Sequence, residues 1–228
     1  MNSGTAKATI PGSARKAARA RRKREETRTG IPLSIQSLSA DSLEVSQAPR
    51  WLFIALLSWW TVRFAAHPLD GDFVGASFLH LINLPFHEAG HILFSPFGSF
   101  MMSLGGSLTQ VLIPLVCAGS FVKREDWFAT AACLWWAGQN LIDLAPYIAD
   151  ARALQLVLLG GFTGAQVEGH DWEAILTALG WLRFDRSLGY TAHWIGALAM
   201  CSSVAGAAWI TWQTRSSDQR YAGIEQLH

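Results

Sequence analysis

The sequence predicts an all-α fold, a polytopic membrane helix bundle with about six transmembrane segments and a disordered basic N-terminal tail. Three observations predict it. Charged residues make up 15% of the 228 positions, against about 25% in ordinary soluble domains. Ten of the eighteen Lys and Arg residues lie between Lys7 and Arg50, which leaves eight for the rest of the chain. Beyond Arg50 the apolar runs follow one another with only short polar links.

Residues 1–48 carry the run Arg15-Lys16-Ala17-Ala18-Arg19-Ala20-Arg21-Arg22-Lys23-Arg24 and no apolar periodicity, so they are expected to be disordered. No apolar stretch follows the charges until Trp51, which argues against a cleavable signal peptide. A basic arm of this kind can bind nucleic acid. Beside an apolar body it fits better as a cytoplasmic anchor touching anionic lipid, with no nucleic-acid partner.

The six apolar segments are 51–66, 76–97, 101–122, 127–147, 151–167 and 190–212. The first is short and has Arg63 near its end, where a long side chain can reach the interface. The third is loosened by Gly105, Gly106 and Pro114, and the fifth is barely long enough to span. The membrane domain covers 49–214, and 215–228 forms a short cytoplasmic tail. Six crossings from a cytoplasmic N-terminus return Arg215 and Arg220 to the cytoplasm. The expected location is a prokaryotic inner (plasma) membrane. Cys117, Cys133 and Cys201 are widely spaced within apolar runs and imply no disulfide framework.

The second segment contains His87-Glu88-Ala89-Gly90-His91. Histidines four apart project from one helix face, so both imidazoles can bind one metal ion. Glu88 stands beside them as general base for an activated water. With seven His and eight Glu in the chain, His-Glu-x-x-His arises by chance in about one such sequence in a hundred. Position strengthens it. A carboxylate at the centre of a membrane helix costs on the order of 3 kcal/mol on insertion scales, and a divalent cation is the obvious compensation.

Zinc is the expected cofactor, and a catalytic zinc site needs a third protein ligand. The fourth segment ends Asn140-Leu141-Ile142-Asp143-Leu144-Ala145-Pro146-Tyr147-Ile148-Ala149-Asp150. Pro146 is expected to break the helix and unwind chain into a cavity. The topology brings Asp150 to the membrane face shared by His87 and His91, so Asp150 is the first choice. Asp143 and the pair His170-Asp171 remain alternatives. The pair reaches the site only if 151–167 is a re-entrant hairpin, which Gly160, Gly161 and Gly164 permit. Asp171 has a simpler use as the N-cap of a short amphipathic helix that stops at Gly180.

On these motifs the chain resembles the site-2 protease family of intramembrane zinc metalloproteases. Asn140, Pro146 and Asp150 follow in the order of that family's second motif, with longer spacing and with Ala151 in place of its Gly. The resemblance covers roughly residues 76–167, without a PDZ-like insert. It implies zinc held by His87, His91 and Asp150, Glu88 as catalytic base, and Asn140 close to the substrate strand or oxyanion. It also implies a membrane-spanning or membrane-adjacent protein substrate. The expected activity is therefore zinc-dependent intramembrane endopeptidase. The competing expectation is a non-catalytic metal-binding membrane protein, a scaffold or transport-related.

Overall fold

The computed structural model describes residues 33–225, with side chains described for 47–214. Every regular element among them is helical: α1 (Leu33–Ala65), α2 (Gly71–Gly75), α3 (Phe78–Phe94), α4 (Ser99–Val122), α5 (Trp127–Ala149), α6 (Asp171–Ala178) and α7 (Asp185–Glu225). Short 3₁₀ turns, Ser95–Phe97 and Leu182–Phe184, follow α3 and precede α7. Of the expected disordered tail, residues 1–32 lie outside the described residues. Residues 33–48 are helical. No Gly or Pro interrupts 33–48, and Pro49 removes only one intrahelical hydrogen bond.

Helix starts follow capping chemistry. Ser77 accepts from the Leu79 amide ahead of α3, and Asp126 accepts from the Ala129 amide ahead of α5. Gly98, at φ 94°, makes the reversal between α3 and α4. Pro146 does not break α5, which runs on to Ala149. A proline forfeits one hydrogen bond, and burial of Leu144, Ala145 and Ile148 carries the helix past it.

Packing orders the helices. α3 lies along α4, α4 along α5, and α5 along α7. Leu57 and Phe64 of α1 enter one core with Trp135 and Ile142 of α5 and Ala197 and Met200 of α7. Trp135 also donates to Thr61 Oγ1 at 2.8 Å. Two pairs of glycines bring backbones into contact, Gly90 with Gly105 and Gly138 with Gly196. Small residues at crossings let helices approach without a driving force from water.

Large apolar side chains lie on the surface, and polar side chains are buried beside the apolar core. Leu52, Ile92, Val116 and Leu198 are exposed, while Asn83, Gln110, Gln139, Asn140 and Asp143 are buried. Two helical stretches, Ser99–Val122 and Leu182–Thr214, are long and apolar enough to cross a membrane. The fifth apolar segment does not form a helix. Residues 151–167 fold as turns around a small hairpin in which Val157 bridges Thr163 and the Leu158 amide donates to the Phe162 carbonyl at 2.8 Å. Gly160 and Gly161, at φ 102° and 85°, form its tip. Backbone left unpaired in this way does not span lipid, so this segment is removed from the six expected crossings.

Candidate metal centre

His87 and His91 lie on successive turns of α3 and face α4, where Gly106 lies against them. A Cβ added at Gly106 would stand 2.7 Å from His87 Nε2 and from His91 Nε2. Only glycine leaves room for both rings there. The third acidic or imidazole side chain at this point is Asp171, the first residue of α6. Its Oδ2 is 3.4 Å from His87 Nε2 and 3.3 Å from His91 Nε2. Among the described residues these three form the cluster able to hold a metal ion.

Each of the three is oriented by a partner. His91 Nδ1 meets the Met102 carbonyl oxygen at 2.8 Å, and His87 Nδ1 meets Gln110 Oε1 at 2.9 Å. Both partners are acceptors, so both Nδ1 atoms donate to them, and both Nε2 atoms face Asp171 Oδ2. Tyr147 Oη donates to the same Oδ2 at 3.0 Å and accepts from the Asp171 amide at 2.9 Å. Trp172 donates to Ser107 Oγ at 3.1 Å, which ties α6 to α4 beside Gly106. Burial pushes the Asp171 carboxyl up, but the adjacent imidazoles more than offset it and hold it at about 2. Once both Nε2 atoms give up their protons, three ligand atoms within 4.8 Å of one another, one of them anionic, converge on one point. A cation between them satisfies all three.

The cluster opens into a cleft of about 480 Å³ lined by His80, Leu84, Glu88, Tyr147 and the hairpin residues Leu156 to Leu159, among others. No Lys or Arg is among its lining residues. Glu88 faces this cleft partly buried and has no hydrogen-bond partner among the described residues.

The other expected site residues lie elsewhere. Asp150 caps α5, and its two oxygens accept from the Gln155 and Leu156 amides at 3.0 and 2.9 Å. It faces His170 Nε2 at 3.4 Å rather than His87 or His91. Burial pushes the His170 pKa down despite Asp150, and its Nδ1 accepts from the Glu173 amide. His170, not Asp171, is therefore the N-cap of α6. Asn140 is fully buried, donates to the Trp136 carbonyl at 3.0 Å, and does not line the cleft.

Comparison of the chain with family models, with curated proteins and with solved structures finds no match. The local geometry alone therefore carries the functional argument. Asp171 was accessible to the sequence through the re-entrant alternative for 151–167. Tyr147 and Gln110 were not singled out, although Gln110 is a lone amide within an apolar run.

Proposed function

We propose that this chain is a zinc-dependent intramembrane endopeptidase, with His87, His91 and Asp171 as the metal ligands and Glu88 as the general base. One observation carries the reading: the spacing of the three lone-pair atoms. Ligands about 2.0–2.1 Å from a tetrahedral zinc stand roughly 3.3–3.4 Å apart. The separations from Asp171 Oδ2 are 3.3 and 3.4 Å, and all three atoms lie within 4.8 Å of one another. Two imidazoles and a carboxylate also suit non-haem iron. Glu88, next to His87 in sequence and unpaired in the cleft, favours hydrolysis instead.

Zinc, when bound, supplies Lewis acidity toward a substrate carbonyl and toward water. The chain's own groups do the rest. Glu88 takes the proton from the attacking water and can return it to the leaving amine. Tyr147 holds Asp171, and Gln110 and the Met102 carbonyl hold the imidazoles. The hairpin walls the cleft with apolar side chains. The resemblance to site-2 proteases rests on the His-Glu-x-x-His helix. Asn140 and Asp150 lend it no support, because one is buried away from the cleft and the other caps a loop.

The test is metal content. Detergent-purified protein is expected to carry about one zinc per chain, and His87→Ala to carry nearly none. Wild-type protein without zinc, after handling free of chelators, overturns the reading.

The same reading proposes five crossings, by α1, α3, α4, α5 and α7, in place of six. From a cytoplasmic N-terminus, α3 and α5 then both run inward, and the chain between α5 and α7 lies on the cytoplasmic side with the metal ligands. A reporter inserted near Asp185 is expected to read cytoplasmic, and one fused after His228 to read outside. The opposite pair of readings restores the sixth span.

A further inference from the structure

Asp143 lies on α5, buried and one turn before Tyr147, and the proposed chemistry leaves it without a role. Its carboxylate nevertheless occupies the centre of a polar network inside an apolar bundle. Oδ1 meets His80 Nδ1 at 3.1 Å, while Oδ2 accepts from Asn83 Nδ2 at 3.1 Å and Gln110 Nε2 at 2.8 Å. A buried charge is costly unless its lone pairs are filled, and here three donors fill them.

The amide orientations in this network follow from two groups, the Trp136 indole and the Asp143 carboxylate. The Trp136 indole N–H can only donate, and it meets Asn83 Oδ1 at 2.9 Å. The Asn83 amide is thereby oriented with its NH₂ toward Asp143 and Gln139. Asp143 can only accept, so Gln110 must turn its own NH₂ toward Asp143. The Gln110 oxygen is then left to face His87 Nδ1. An oxygen there requires the proton on Nδ1 and frees the Nε2 lone pair.

We infer that Asp143 is a positioning residue of the metal site: acting through Gln110, it fixes His87 in the tautomer whose Nε2 is available to the metal. The inference rests on the proposed metal site. Asp143 touches neither metal nor substrate. It replaces the direct carboxylate–histidine contact common around metal ligands with a carboxylate–amide–histidine chain. Without it, the Gln110 amide is free to rotate and present NH₂ to His87. His87 Nδ1 then becomes an acceptor, the proton moves to Nε2, and the metal-binding lone pair is lost.

A swap tests this. In Asp143→Asn the orientation of Gln110 is no longer dictated. In the double variant Gln110→Glu, Asp143→Asn, a carboxylate meets His87 directly and the new amide can donate to it. Zinc affinity is measured by chelator competition on the full-length protein in detergent, with helical content followed by circular dichroism. Asp143→Asn is expected to weaken zinc about 10- to 100-fold, the usual range for loss of such an outer partner. The double variant is expected to recover most of that loss. If Asp143→Asn does not fold, Gln110→Leu replaces it and is expected to show the same weakening.

A network that merely stabilises the bundle would lower thermal stability in both variants without restoring affinity in the double. Wild-type affinity in a folded Asp143→Asn or Gln110→Leu overturns the inference, as does a double variant no better than the single. Those outcomes leave a zinc-binding wild type standing. A wild type that binds no zinc overturns the metal site and the inference together.

Discussion

Glu88→Gln is expected to fold, insert and retain its zinc, and to lose cleavage of a co-expressed membrane substrate by about a hundredfold to ten-thousandfold, the usual cost of removing a general base. The carboxylate lies in the cleft with no hydrogen-bond partner among the described residues. Replacing it by the isosteric amide therefore breaks no hydrogen bond and removes only basicity. Accumulation of uncleaved substrate beside an unchanged metal content is the signature. A non-catalytic metal protein behaves differently: Glu88→Gln is silent, or it stabilises the fold by removing an intramembrane charge. Processing at the wild-type rate overturns the protease reading while leaving the metal site intact.

Asp171→Ala is expected to strip zinc to a small fraction of wild type, whereas Asp150→Ala keeps it. Outer-sphere partners alone are worth about 10- to 100-fold in metal affinity, so loss of a direct ligand is expected to cost at least the upper end of that range. Asp150 instead holds the Gln155 and Leu156 amides. Its removal is expected to appear as faster amide exchange in that turn, with the metal retained. Metal analysis of the two purified variants decides between them. Zinc lost from Asp150→Ala and kept in Asp171→Ala reverses the assignment.

The helical class was legible because apolar runs and their polar links have a length that only helices use, and the His87–Glu88–His91 register was legible because it is local. Both rest on residues within a turn or two of one another. The third residue of the cluster was not legible in that way. Asp171 is brought to α3 by the end of α5 and by the irregular path through the hairpin, and neither leaves a periodic trace. Apolar content made 151–167 resemble a span, yet Leu156 to Leu159 face a cleft and Gly160 and Gly161 turn the chain back. Hydropathy reports how apolar a segment is, not what its side chains cover. Asn140 shows a related effect. An amide in a membrane helix signals a polar partner, but the partner here is the Trp136 carbonyl of its own helix.

The chain between α5 and α6 is closed at its base before it reaches the cleft. Asp150 at one end faces His170 at the other, and Arg152 pairs with Asp185 at 2.7 Å. The two contacts at the base bring the ends of this excursion together away from His87, His91 and Asp171. Doubling the length of a flexible loop costs only about 0.6 kcal/mol of additional closure entropy. Residues 157–163 can therefore lengthen, shorten or change their apolar surface while Asp171 stays in register with the two imidazoles. The fold separates the His87–His91–Asp171 cluster from a wall whose length and surface can change without moving it.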